Sequence, residues 1–127
     1  MRLKNFTLYY GSQIFKSFSD ESRIRILNVL FFRKEACISD LEQILDFTQT
    51  KTSRHISYLR NAGLVSSRKV DQFIFYAVKD EVYDIVNQIF KFLKRDVQLE
   101  KDLDAYDAMN SNRELSTNKI ENKSWKA

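Results

Sequence analysis

The stretch Thr48-Gln49-Thr50-Lys51-Thr52-Ser53-Arg54-His55-Ile56-Ser57-Tyr58-Leu59-Arg60-Asn61-Ala62-Gly63 sorts its side chains onto two sides of a helix. Thr52, Ile56 and Leu59 fall within roughly 60° of one another on a helical wheel and form the side to be buried. Opposite them lie Thr50, Arg54, Ser57 and Asn61, flanked by Lys51 and Tyr58. No Asp or Glu occurs in these 16 residues, whereas a solvated helix surface ordinarily mixes both signs of charge. A carboxylate there would repel phosphates, so its absence predicts a face that meets a polyanion. Thr48 supplies the N-cap and Gly63 the stop.

Working backward, Asp46-Phe47-Thr48 reads as a tight break, because Asp tolerates the left-handed backbone that ends a helix. Before it, Leu41, Ile44 and Leu45 face inward on a short helix that Ser39 and Glu42 are expected to open as a capping box. Two short helices joined by about three residues make a helix-turn-helix. Further upstream, Ile14, Phe15 and Phe18 mark a first helix over Leu8 to Phe18. Asp20 caps a second, with Ile24, Leu27, Leu30 and Phe31 as its buried stripe and Ile26 and Val29 widening it.

Working forward, Leu64 to Val70 and Phe73 to Lys79 are rich in Val, Ile, Phe and Tyr and read as a β-hairpin. Asp71-Gln72 lacks the glycine that two-residue turns favour, so a longer loop is expected. From Asp80, the stripe Val82, Ile85, Val86, Ile89, Phe90, Leu93 and Val97 predicts one helix running to about Asp104, roughly 36 Å long. That is more apolar face than a small domain covers by itself, and a partner chain is expected on it. Residues 109–127 are rich in Asn, Ser and Lys without a period, and are read as a disordered tail, with Trp125 the one feature at odds with it. The acidic run from Asp96 to Asp107 reads as a solvated helix end, with an oxygen-ligand site for a hard cation as the alternative.

Composition narrows the function. The chain has 127 residues, with 1 Cys, 1 His, 2 Gly and no Pro. That excludes a disulfide framework within one chain, a four-cysteine or HExxH zinc site, a P-loop and a dinucleotide-binding loop. Cys37 and His55 form the only cysteine-containing nucleophile–base pair one subunit could offer, with no oxyanion loop beside them, so no enzyme and no cofactor are expected. No apolar run suits a signal peptide or a membrane span, so a cytoplasmic protein with a reduced Cys37 is expected. Net charge is +4 overall, but residues 1–80 carry +5 and residues 81–127 carry −1. The positive part is the part containing the helix-turn-helix.

DNA supplies the matching chemistry. Side chains near the N-terminus of a helix in the major groove reach base edges. Gln49 can pair with adenine and Arg54 can fork onto guanine O6 and N7. Thr50 and Ser57 share that face, while Lys51, Ser53 and the first amides of the helix suit phosphate oxygens. Arg68 and Lys69 on the hairpin extend the basic strip. His55 sits beside the buried stripe, where a structural role and a phosphate contact are both open. A different class of function, a protein-docking winged helix that binds no DNA, would use the aromatic hairpin, with Phe73, Phe75 and Tyr76, and the tail as its surface.

Three stretches resemble the ArsR/SmtB family of bacterial repressors. Ile14 to Leu27 is similar to the family's "FKALSDETRLRIL". Ser53 to Val65 is similar to "SRHLKxLRxAGLV", and Ile74-Phe75-Tyr76-Ala77-Val78 resembles the "VYYRL" wing. The resemblance implies a mainly α (α+β) fold, a winged helix-turn-helix with a two-stranded β-hairpin wing and long terminal dimerisation helices. Residues 1–108 would form the DNA-binding and dimerisation domain. It also implies a homodimer through the first and last helices, which binds an inverted-repeat operator in double-stranded DNA and represses transcription until an effector releases it. The family's soft-metal motif "ELCVCDL" is matched by Glu35-Ala36-Cys37-Ile38-Ser39-Asp40-Leu41, where Ser39 replaces the second thiol. The last helix, with Asp84, Asp96, Glu100, Asp102 and Asp104, carries no His for the family's zinc site. No metal site is therefore expected. Cys37 is read as a small buried hydrophobe, with a redox-sensing thiol as the alternative.

Overall fold

The computed structural model describes residues 5–120, which form helices α1 (Leu8–Ser17), α2 (Glu21–Arg33), α3 (Ile38–Leu45) and α4 (Gln49–Asn61), followed by strands β1 (Val65–Val70) and β2 (Phe73–Val78). A 3₁₀ turn, Asp80–Val82, then leads into α5 (Tyr83–Phe92) and α6 (Val97–Ser111), and a second turn spans Ser116–Lys119. Four helices start on side-chain caps. Thr7, Asp20, Thr48 and Asp96 accept hydrogen bonds from the amides of Tyr10, Arg23, Lys51 and Leu99 at 2.9–3.1 Å. Each such cap contributes about 1 kcal/mol.

The second helix is the axis of the core. Ile26, Leu27, Val29 and Leu30 are buried, whereas Ile24 and Phe31 of the expected stripe are half-buried. Leu41, Ile44 and Leu45 of α3, Ile56 and Leu59 of α4, and Val82, Val86 and Phe90 join it in one buried cluster. Fully burying an aliphatic side chain of this size contributes about 1.5–3 kcal/mol. α1 is fastened to the end of α4 through Tyr10, whose hydroxyl donates to the Gly63 carbonyl at 2.6 Å. Gly63 takes φ +85°, and a Cβ there would lie 2.8 Å from the Tyr10 ring, so both backbone and space require glycine.

The expected capping box at Ser39 does not form. α3 starts two residues earlier with Cys37 at the cap position and no side-chain cap, which puts Ser39 inside the first turn. The helix ends as expected, with Asp46 left-handed at φ 58°. The hairpin turn is tighter than expected. Val70 pairs with Phe73, leaving Asp71-Gln72 as the loop, and Asp71 itself takes the positive φ of 55° that glycine would otherwise supply. Ala36 bridges Tyr76 by two backbone hydrogen bonds of 2.9 and 3.2 Å, adding a one-residue third strand to the wing.

The long last helix is the largest correction. The chain breaks at Leu93, and Asp96 caps a new helix that folds back along α2 and α3. The fold-back has polar anchors that hydrophobic periodicity cannot reveal. Arg25 donates to both oxygens of Asp102 at 2.8 and 2.9 Å, and Asp102 is 2% exposed. Arg33 holds Asp107 in the same forked manner, and the Asn28 side-chain amide donates to the Leu99 carbonyl at 3.1 Å. Asp102 and Asp107 of the acidic run therefore dock on the arginines of α2, while Asp96, Glu100 and Asp104 remain exposed as a solvated edge.

Residues 109–120, expected to be disordered, continue this strap. Leu115 is 1% exposed, and Ser116 donates from its amide and hydroxyl to the buried Asp40 carboxylate at 3.0–3.2 Å. Ile120 packs on the Cys37, Val70 and Phe75 cluster. The rest of the expected tail, with Trp125, lies outside the described residues.

Candidate nucleic-acid interface

The side chains of α4 divide as the wheel predicts. Thr52, Ile56 and Leu59 are buried, while Gln49, Thr50, Arg54, Ser57, Arg60 and Asn61 are exposed. Arg54 takes part in no ion pair among the described residues. The N-terminal turn is stiffened locally: Gln49 Nε2 donates to Ser53 Oγ at 3.0 Å, and Lys51 Nζ sits 4.1 Å from the Phe47 ring centroid. The Lys51 ammonium is thereby held over the turn between α3 and α4, beside the open amides of the α4 N-terminus. Arg23 clamps α4 against α2, stacking 4.0 Å over Tyr58 while donating to the Ser17 and Lys16 carbonyls.

Two of the expected DNA-facing residues are placed differently. His55 is 7% exposed and stands apart from the open face. Desolvation holds its pKa below the usual histidine value; Asp20 partly offsets this, while Arg54, Arg23 and Lys51 add to the lowering. The unfolded chain takes up a proton near pH 6.5 that folded His55 resists, so stability is lost as pH falls through about 6.5. Urea unfolding at pH 7, 6 and 5 will show this loss, and His55→Gln will flatten it. A variant as pH-sensitive as the parent would remove His55 from this account.

Arg68 is the other. It donates from Nε and a terminal nitrogen to both Glu35 oxygens at 2.7 Å, so it braces the wing against the loop after α2. Lys69, exposed on β1, remains the wing's outward cation. Sequence reading missed Glu35 because nothing along the chain couples it to a strand 33 residues away. The aromatic docking surface also changes: Phe75 is 1% and Tyr76 9% exposed, Phe73 is half-buried, and Ile74 is the exposed apolar residue of β2.

Cys37 is 5% exposed, and its thiol donates to Asp40 Oδ2 at 3.5 Å. Burial pushes its pKa up to about 11, which favours the protonated thiol over the reactive thiolate. Ser39 is exposed. Among the described residues, no cluster of three or more His, Cys, Asp or Glu side chains could hold a metal ion. Nor is any helix among them long and apolar enough to cross a membrane.

A three-helix core, a helix-turn-helix with an open basic second helix, and a hairpin braced beside it define a winged helix-turn-helix. The same architecture is found in HlyU from Vibrio cholerae, with a TM-score of 0.60 and 28% identity over 65% of this chain and 90% of that one. It is also found in the winged helix-turn-helix domain of Mb0332 from Mycobacterium bovis, with a TM-score of 0.63 and 18% identity over 68% and 81% of the two chains. Residues 20–67 match the model of the bacterial regulatory proteins of the arsR family. The arsenic resistance transcriptional regulator ArsR2 of Pseudomonas putida is 32% identical over 61% of this chain and 68% of its own length. The cadmium resistance transcriptional regulatory protein CadC of Listeria innocua is 34% identical over 62% of this chain and 66% of its own length, so the match spans just under two thirds of that regulator. The chain belongs to the arsR family of bacterial transcriptional regulators, which are not enzymes.

Proposed function

We propose that the protein is a homodimeric, sequence-specific repressor that lays the open face of α4 in the major groove of an inverted-repeat operator. The observation that carries this reading is the exposure of Thr50, Arg54 and Ser57 on a helix without a carboxylate. Arg54 and Gln49 would read base edges, Lys51, Ser53 and the first amides of α4 would hold phosphates, and Lys69 would contact the backbone beside the wing. Arg68 would act through its brace on Glu35. Such a regulator works on chromosomal DNA in the cytoplasm. Cys37, single and buried, offers only one thiol, which argues against release by a soft metal or by oxidation of that thiol.

Anisotropy titrations of labelled duplex DNA at several salt concentrations test the reading. Affinity should fall steeply as salt rises. Lys69→Ala should weaken binding to all sequences and lower the salt slope by about 1 for each phosphate that lysine neutralises. No salt-sensitive binding to any duplex would refute it.

The dimer is supported by apolar side chains left on the surface. On α1, Leu8, Tyr9 and Phe15 are 92%, 75% and 68% exposed, and Phe92 at the end of α5 is 87% exposed. Leu8 and Phe15, seven residues apart, share one side of α1, and an apolar patch of that kind marks an association surface. Placing a charge there, as in Phe15→Glu, should weaken self-association more than tenfold in sedimentation analysis. Unchanged association would move the interface away from α1.

A further inference from the structure

The second half of α2, the end of α5 and the first half of α6 line a half-open cavity of about 200 Å³. Phe32, Phe90, Leu93, Leu99 and Leu103 supply its apolar walls, Asn28 lines it from α2, and the exposed Lys94 and Glu100 complete the lining. Nothing in the DNA-binding reading uses this cavity. Its volume is informative: an engineered apolar cavity of roughly 150 Å³ suffices to bind benzene, so this one accommodates a substituted or fused aromatic ring.

Asn28 adds a specific chemical demand. Its side chain is 2% exposed, and its Nδ2 donates to the Leu99 carbonyl at 3.1 Å, which fixes which way round the amide sits. The amide oxygen, Oδ1, accepts a hydrogen bond from no described residue. A buried carbonyl oxygen without a donor is uncommon and costly. A guest bringing one donor into an otherwise apolar cavity relieves that cost, whereas a guest of the same shape without a donor leaves it in place.

We propose that this cavity binds a small aromatic molecule carrying a single N–H or O–H donor, of the indole or phenol class, with the donor on Asn28 Oδ1. One wall of the site, Leu99 and Leu103, belongs to α6. That helix is held by Arg25, whose guanidinium also donates to the Leu45 carbonyl at the end of α3. Arg25 thus ties α6, which carries this wall, directly to the end of α3 in the helix-turn-helix. Binding itself requires no DNA and does not depend on the repressor reading.

The test is titration of the DNA-free, full-length protein with indole and phenol, and in parallel with 1-methylindole and anisole, followed by ligand-observed NMR and calorimetry. Indole and phenol should bind at least tenfold more tightly than their methylated counterparts. Leu103→Trp, which places an indole in the cavity from its α6 wall, should abolish binding of all four while leaving the circular dichroism spectrum unchanged. Asn28→Leu, where it folds, should erase the preference for the donors. No binding by any of the four, or equal binding within each pair, overturns the proposal. So does loss of self-association in Leu103→Trp, because that outcome assigns the cavity to a second copy of the chain. DNA titrations of the same samples keep the two readings apart: failure of aromatic binding with intact DNA binding refutes only this site, and the converse refutes only the repressor assignment.

Discussion

Arg54→Ala is expected to lower affinity for a selected operator more than tenfold while leaving binding to random duplex DNA nearly unchanged. Arg54 is exposed at the centre of the α4 face and has no ion-pair partner among the described residues. A bidentate guanidinium–guanine contact is worth about 1–3 kcal/mol of discrimination, and a dimer loses it at both half-sites. The side chain is not part of the core, so the thermal midpoint should stay where it was. Competition between operator and random DNA in the same anisotropy assay measures the ratio directly. An equal loss on both DNAs would make Arg54 a phosphate contact instead.

Asp102→Ala is expected to destabilise the fold by about 2–4 kcal/mol, a fall of roughly 10 °C in midpoint for a domain of this size. Asp102 is 2% exposed and receives the forked Arg25 guanidinium as well as Gln98 Nε2 at 2.9 Å. Its removal leaves a cation facing an emptied site. The cost stays below that of a fully buried pair because the Arg25 side chain is 23% exposed and stacks on Phe47. Asp107→Ala is the control: its pair with Arg33 has the same geometry, but its side chain is 53% exposed, and such pairs contribute about 0–1 kcal/mol. Denaturant titrations of the two variants should differ by at least about 1 kcal/mol. Equal effects would mean that α6 is not held by the buried carboxylate.

How much of this was legible in the chain depended on the range of the interactions. The caps at Asp20 and Thr48, the left-handed stop at Asp46 and the glycine at Gly63 are local signals, and α1, α2, α4 and the hairpin stood where they indicated. The apolar side of α4 was equally readable, because a 3.6-residue period places Thr52, Ile56 and Leu59 together whatever they pack against. The break at Leu93 was not. The apolar stripe runs through it uninterrupted, and what decides the matter is the cap at Asp96 and the contact of Arg25 with Asp102, 77 residues further on. The strap after α6 was hidden for a related reason: its polar composition resembles an unstructured tail, and its order comes from Leu115 and from the buried pairing of Ser116 with Asp40.

The site shows the same division. Exposure of Thr50, Arg54 and Ser57 follows from helix geometry alone, so the open, acid-free face of α4 could be drawn from sequence. The wheel set His55 beside the buried stripe with both roles open, and its burial favours the structural one; the brace of Arg68 could not be read, because it depends on a single acidic partner, Glu35. The capping box at Ser39 was a pattern match without a helix start behind it, since the backbone had already turned helical at Ile38.

The central claim is that the open, acid-free side of α4 is where DNA sits. Amide and side-chain NMR shifts of the labelled protein, followed while duplex DNA is added at low salt, address it residue by residue. The account predicts the largest changes at Gln49, Thr50, Lys51, Arg54 and Ser57, with a second set near Lys69 and little change along α6. Saturable binding that leaves these residues unmoved and shifts another surface would contradict it.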